Sequence, residues 1–198
     1  MREACTRHNV LLVADEIQTG LGRTGYMLAV EHENVRADIV TLGKALSGGT
    51  LPISAVLADA SIMLTIKAGQ HGSTFGGNAL ANKVAIASLK ALRDEDMCTN
   101  ATLRGEQMRA GLAQLSPNVI SSVRGRGLMN AIVVKTDAKN ADDAAWQLCL
   151  RFAKHGVLAK PTRRDRIRLT PPLIITAAEV DDVLTRIQRA CSESLAAN

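Results

Sequence analysis

Asp38-Ile39-Val40-Thr41-Leu42-Gly43-Lys44-Ala45-Leu46-Ser47-Gly48-Gly49 is a short apolar run that stops at a lysine and then at a glycine-rich turn. A run of this kind is the pattern of a strand buried in a parallel sheet, and α/β proteins place ligands at the carboxyl ends of such strands. The same pattern stands upstream, where Asn9-Val10-Leu11-Leu12-Val13-Ala14 ends at Asp15-Glu16. A third run, Ile53-Ser54-Ala55-Val56-Leu57-Ala58, follows so closely that no helical crossover fits between it and the run at 38–42. A mixed sheet is therefore expected here.

Further along, Leu80, Val84, Ala87, Leu89 and Leu92 recur at helical spacing, which predicts a helix over 78–93 behind the breaker Gly76-Gly77. A second helix is expected over 96–115, stopping at Ser116-Pro117. Residues 119–123 and 128–134 read as strands joined around Gly125-Arg126-Gly127, and 141–155 as a helix closed by Gly156. Short strands are expected at 157–159 and 167–169, and Thr176 with Glu179 has the spacing of a capping box opening a last helix. The expected class is α/β: the end of one α/β layer over residues 1–94, a connecting helix over 95–116, and a smaller α/β domain over 117–198.

With 198 residues, 46% of them hydrophobic, the chain can bury a core. The net charge of +5 comes from a modest excess of bases scattered among acids. The densest basic stretch, Arg163-Arg164-Asp165-Arg166-Ile167-Arg168, is interrupted by an acid and an apolar residue, and two Phe, one Tyr and one Trp offer few stacking platforms. That balance argues against a nucleic-acid partner. Cys5, Cys98, Cys149 and Cys191 lie far apart with no Cys-x-x-Cys pair, so neither a metal site nor a disulfide framework is expected. No apolar run approaches the roughly 18 residues of a membrane span, and the first residues lack a signal-peptide layout. Met1-Arg2-Glu3-Ala4 reads as the middle of a helix leading into a strand, an odd opening for an intact domain.

Four features could carry chemistry. Asp15 ends an apolar strand, where a carboxylate needs a partner; the alternatives to a ligand are a helix N-cap or an ion pair with Arg23. Lys44 also ends a strand beside a flexible turn, and a lysine held against a pocket becomes a nucleophile toward an aldehyde. A lysine merely reaching out from a strand end is the alternative. Together, a lysine and a carboxylate on adjacent strands are what pyridoxal chemistry needs, one for the Schiff base and one for the ring nitrogen. His71-Gly72-Ser73-Thr74-Phe75-Gly76-Gly77-Asn78 offers hydroxyls and backbone amides before a helix, an arrangement that holds phosphate or serves only as a turn. Arg168 precedes Leu169-Thr170-Pro171-Pro172, a rigid turn that could aim a guanidinium at a carboxylate or leave it as one more surface arginine.

Asp15-Glu16-Ile17-Gln18-Thr19-Gly20-Leu21-Gly22-Arg23-Thr24-Gly25, with Asp38 and Leu42-Gly43-Lys44-Ala45-Leu46-Ser47-Gly48-Gly49, resembles the signature of class III pyridoxal-phosphate aminotransferases of fold type I. The loop at 71–78 and Ile167-Arg168-Leu169-Thr170-Pro171-Pro172-Leu173 continue the resemblance in order. Within the class, Val123-Arg124-Gly125-Arg126-Gly127-Leu128-Met129-Asn130-Ala131 and Gly156-Val157-Leu158-Ala159-Lys160-Pro161-Thr162 look most like the ornithine-type branch, rather than the acetylornithine or 4-aminobutyrate types. The resemblance implies pyridoxal 5'-phosphate as cofactor and a large cofactor-binding domain followed by a small C-terminal one.

It also implies roles. Lys44 would bond the cofactor and later move the proton at the substrate carbon, and Asp15 would hold the pyridine nitrogen protonated. Gln18 would hydrogen-bond the ring's phenolic oxygen, Ser73 and Thr74 would reach the phosphate of a neighbouring subunit in a homodimer, and Arg168 would bind the substrate carboxylate. The implied reaction moves the δ-amino group of ornithine to 2-oxoglutarate, giving glutamate 5-semialdehyde and glutamate. Members of the family carry about as much chain again before the position of Met1, including the main phosphate loop and the ring stacked on the cofactor. The chain is thus expected to be the C-terminal portion, with little turnover alone, the alternative being a non-catalytic fragment that acts only through pairing with full-length subunits. A cytoplasmic location is the default and the mitochondrial matrix the alternative, since a transit segment would lie in the preceding part.

Overall fold

In the computed structural model, which describes residues 1–115, 118–136 and 143–196, helix α1 (Arg2–Arg7) leads into strand β1 (Val13–Asp15). Strand β2 (Ile39–Leu42) runs parallel to β1, with Val13 opposite Ile39 and Asp15 opposite Thr41. Strand β3 (Ala55–Ala58) returns antiparallel to β2, so the sheet β1-β2-β3 is mixed as the close spacing requires. Asp38 ties the entry to this sheet: its Oδ2 accepts from the Leu12 amide at 2.7 Å and from Arg2 Nη1 at 2.6 Å. Those two donors hold the Asp38 carboxyl below its ordinary range, the backbone amide first.

The expectation of fully buried strands needs correction. Val13 is 54% exposed, Val56 54% and Leu57 50%, and in β2 only Leu42 is buried. Apolar composition says what a strand would bury, whereas burial needs something packed on each face. Residues 9–12 also lie outside β1.

After α2 (Ala60–Met63), helix α3 (Ala79–Asp94) is capped by Asn78, whose Oδ1 accepts from the Ala81 amide at 2.8 Å. It buries Ala81, Ala85 and Leu92. The small residues let it lie close to the 3-10 turn Lys44–Ser47, where Ser88 Oγ donates to the Ala45 carbonyl at 3.5 Å.

The chain divides into two compact units, Met1–Cys98 and Thr99–Asn198. The helix expected as a connector, α4 (Met97–Ala113), is part of the second unit's interior: Ala101, Met108 and Leu112 are buried in its core. Strands β4 (Ile120–Arg126), β5 (Met129–Val134), β6 (Lys160–Arg163) and β7 (Arg166–Leu169) form an antiparallel sheet in the order β4-β5-β7-β6. Alternation assigns its faces: Ile132, Val134, Ile167 and Leu169 are buried, while Ala131, Val133, Arg166 and Arg168 lie on the other side. Helices α5 (Ala144–Lys154) and α6 (Ala177–Ala196) complete the core through Leu148, Phe152, Val180 and Ile187.

The strand expected at 157–159 begins at Lys160 instead. Val157 still belongs to the exit from α5, since its amide returns to the Phe152 carbonyl at 2.9 Å across Gly156, whose φ is 79°. The predicted helix end at Ser116-Pro117 and the first two residues of the helix expected over 141–155 lie outside the described residues. The last helix opens on the capping box foreseen: Glu179 Oε2 accepts from the Thr176 amide at 2.8 Å, and the Glu179 amide donates to Thr176 Oγ1 at 3.2 Å. None of the four cysteines is in a disulfide, and burial pushes the Cys149 and Cys191 thiols up to about 11. Among the described residues, no group of three or more metal-ligating side chains occurs, and no helix is long and apolar enough to cross a membrane.

Candidate active site

The parallel register of β1 and β2 puts Asp15 opposite Thr41, and the chain leaves β2 through Gly43 directly into Lys44. Both predicted residues thus stand at the carboxyl edge of the same strand pair. Asp15 is exposed rather than interior, and its Oδ1 accepts from the Ile17 amide at 3.1 Å and the Thr41 hydroxyl at 3.3 Å. The Ile17 bond is an Asx turn, so the capping alternative is realised locally without a helix. The second oxygen, Oδ2, is left to accept from elsewhere.

Lys44 has φ 40°, a left-handed conformation that a lysine rarely adopts. Its side chain is exposed, and among the described residues its ammonium has no hydrogen-bond or ion-pair partner. A strained residue with an uncommitted amine at a strand end is the kind of outlier from which a functional hypothesis follows. The turn behind it is held by Ser47, buried, whose Oγ accepts from the Leu51 amide at 3.2 Å.

Lys44 and Ser73 line one open cavity of about 520 Å³ with Ser54, Gly76, Gly77 and Asn78. Small-molecule sites span about 300–1,000 Å³, so the volume suits a phosphorylated pyridine. The chemistry suits it too, with the Lys44 amine, the Ser54 hydroxyl and glycine amides at the cavity and a carboxylate on the same sheet edge. The residues present therefore fit pyridoxal phosphate. Ser73 Oγ accepts from the Gly76 amide at 3.1 Å, which shapes the loop as a turn while leaving its O–H to donate. Thr74 and Gln18 are exposed, and neither they nor Asp15 line this cavity. Arg168 belongs to the second unit, on the outer face of β7, where it lines a different cavity of about 940 Å³.

One positioning residue was not anticipated. Glu16 is 3% exposed, and its Oε1 accepts from the Val30 amide at 2.9 Å while Oε2 accepts from the Thr19 hydroxyl. It pins the loop that carries Gln18 against the 3-10 helix Ala29–Glu33. The signal was present as the second acid of Asp15-Glu16: at a strand end consecutive side chains point to opposite sides, so one acid faces outward and the other inward. Within the same loop Arg23 is partly buried, and its pKa is lowered by desolvation.

Comparison with known proteins adds a second line of observation. The family profile "Aminotransferase class-III" matches residues 1–191. The mitochondrial ornithine aminotransferase of Rattus norvegicus is 55% identical over 96% of this chain, which spans 42% of the rat protein. A solved ornithine aminotransferase of Toxoplasma gondii, with partial occupancy of PLP at its active site, superposes with a TM-score of 0.90 at 45% identity, over 96% of this chain and 45% of that one. The acetylornithine aminotransferase of Elizabethkingia anophelis gives a TM-score of 0.91 at 48% identity, over 96% of this chain and 48% of that one. The extent of the profile match, joined to the strand-end aspartate and lysine, places the chain in the class III aminotransferase family.

Proposed function

We propose that this chain carries the cofactor-anchoring side of a pyridoxal-phosphate site for transfer of the δ-amino group of ornithine to 2-oxoglutarate. The observation that carries the reading is Lys44: an uncommitted amine in a left-handed backbone, at the strand edge it shares with Asp15 and on an open cavity of about 520 Å³. Bound there, the cofactor supplies an aldehyde for amine exchange and a ring that takes up the electron pair released when a C–H bond breaks.

The chain's own residues then have distinct tasks. Lys44 holds the cofactor through Nζ and moves a proton at the substrate carbon. The Asp15 carboxylate, its Oδ1 fixed by Ile17 and Thr41, uses Oδ2 to keep a proton on the ring nitrogen. Gln18 donates to the ring's phenolic oxygen. Ser73 and Thr74, with exposed hydroxyls, donate to the phosphate of a second copy's cofactor, which makes a homodimer part of the reading. Arg168 takes the substrate carboxylate as a two-pronged donor. Ornithine is preferred to acetylornithine as the donor because the ornithine enzymes reach 55% identity with this chain.

The test is reductive trapping. The chain is mixed with pyridoxal phosphate, reduced with borohydride and digested, and the modified peptide is identified by mass spectrometry. The expected label is on Lys44, abolished by Lys44→Ala and weakened by Asp15→Ala; label concentrated on another lysine overturns the assignment. Ornithine, acetylornithine and 4-aminobutyrate compared as donors in a longer chain that includes this one then decide the substrate.

A further inference from the structure

Lys44 stands at the start of the connection between β2 and β3, residues 43–54, whose middle is Gly48-Gly49 with φ of 63° and 86°. Such a connection does not by itself keep a lysine at φ 40°: the glycines widen the conformations open to the chain, and a left-handed lysine relaxes unless both its flanks are held. Strand β2 holds one flank through its pairing with β1 and β3. The other flank ends at Ser47, the last residue of the 3-10 turn, which is 2% exposed.

Ser47 braces the connection across its glycines. Its hydroxyl donates to the Leu51 carbonyl and accepts from the Leu51 amide at 3.2 Å, so one side chain occupies both backbone groups of the residue that turns the chain back toward β3. The Ser47 carbonyl accepts from the Thr50 amide at 3.3 Å and from Thr50 Oγ1 at 2.9 Å. Upstream, the Leu46 amide donates to the Gly43 carbonyl at 3.0 Å and the Gly48 amide to the Ala45 carbonyl at 2.9 Å. Gly43 and Ala45 are the two neighbours of Lys44, and the donors that fix them stand on either side of Ser47. A brace at Ser47 therefore reaches the backbone of Lys44 from both directions.

We propose that Ser47 is a positioning residue for Lys44: its buried hydroxyl holds the left-handed backbone that presents the amine to the 520 Å³ cavity, and so sets Lys44 apart from the chain's other lysines. Without that hydroxyl the Lys44 backbone relaxes to an ordinary conformation and its side chain leaves in another direction. The inference rests on the reading of Lys44 as the cofactor-bonding lysine and adds the residue that makes it selective.

The experiment labels the chain with limiting pyridoxal phosphate and borohydride and reads, by mass spectrometry, the ratio of label on Lys44 to label on Lys90, an exposed lysine of α3. It requires no turnover. Ser47→Ala is expected to lower the ratio at least about tenfold, a difference worth about 1.4 kcal/mol. Ser47→Thr, which keeps the hydroxyl, should restore it. Thr50→Val removes the loop's other side-chain hydrogen bond and should leave the ratio as it was, which separates the brace from a general loosening of the loop. Amide exchange in α3, which lies on the turn, shows whether a variant keeps its fold. If Ser47→Ala loses that protection, Ser47→Cys, close in shape but a weak hydrogen-bonding partner, takes its place with the same fall expected. An unmoved ratio in the variant that keeps its fold, a fall that Ser47→Thr does not reverse, or an equal fall in Thr50→Val overturns the proposal. Preferential label on Lys44 with an unmoved ratio defeats this inference alone, whereas no preference for Lys44 in the unmodified chain defeats the Lys44 assignment and this inference with it.

Discussion

Asn130 is 1% exposed, and a buried carboxamide costs about 1–3 kcal/mol for each group left unbonded. Its Oδ1 accepts from Arg109 Nη1 at 2.8 Å, and its Nδ2 donates to the Gly127 carbonyl at 3.2 Å, to which the same Arg109 nitrogen donates at 2.9 Å. The side chain thus bonds a strand to the hairpin turn before it and to helix α4. Asn130→Ala is expected to lower stability by about 2–3 kcal/mol, because it leaves a cavity and takes an acceptor from Arg109. Urea unfolding checks this, and a loss below about 0.5 kcal/mol would show the network to be dispensable. In the sequence Asn130 served only as a mark of family branch, since nothing local tells a buried amide from a surface one. Asp15 and Lys44 were legible because each interrupts an apolar run. Their common edge was expected from the two strand ends, and the register that makes it pairs residues 26 positions apart.

Helices and strands pack at separations set by their smallest residues, and α4 meets the β4–β5 turn at Gly105. A Cβ there would stand 1.9 Å from the Gly127 carbonyl oxygen, a backbone atom that no side-chain rotation can move aside. Gly105→Ala is therefore expected to destabilise the protein by about 3 kcal/mol or more, although alanine favours a helix over glycine by about 1 kcal/mol. Gly111 is the control on the same helix: its Cβ would meet Leu184 side-chain carbons, which can rotate. Thermal unfolding should rank Gly105→Ala well below Gly111→Ala, and equal melting temperatures would contradict the contact. The helical periods, the mixed sheet and the Thr176 capping box were readable because each is local. The displaced strand at 157–159 was not, because Val157 is held by a helix-closing bond while composition alone makes it a strand former. Nor was the place of α4, whose buried face is Ala101, Gly105, Met108 and Leu112, a line with two small residues that gives little apolar contrast and does not say in which unit it packs.

The two units differ in how much interior they have. Buried hydrophobics in Met1–Cys98 are few, Leu21, Leu42, Leu46 and Leu92 with Ala37, Ala81 and Ala85, whereas the second unit has one continuous core from Ala101 to Cys191. Valines and leucines of β1 and β3 stand half in solvent, so the first sheet gains little from burial and its amides are guarded mainly by hydrogen bonds. Amide exchange should accordingly be faster in β1–β3 than in β5 and β7. The chain spans about two fifths of the rat relative, so the comparison concerns the interior of this stretch and not of a whole aminotransferase. Phe152→Ala separates the units energetically: the ring is fully buried in the second core, and its loss should cost about 3–5 kcal/mol. At 1.4 kcal/mol per tenfold, amides of β5, β7 and α6 that exchange by unfolding of this unit should then exchange at least about 100-fold faster. Rates in β1–β3 should stay as they were, because the core cluster that holds Phe152 is drawn from the second unit's own residues. Equal acceleration in both units would mean that they unfold as one, and the division at Cys98 would then be geometric without being energetic.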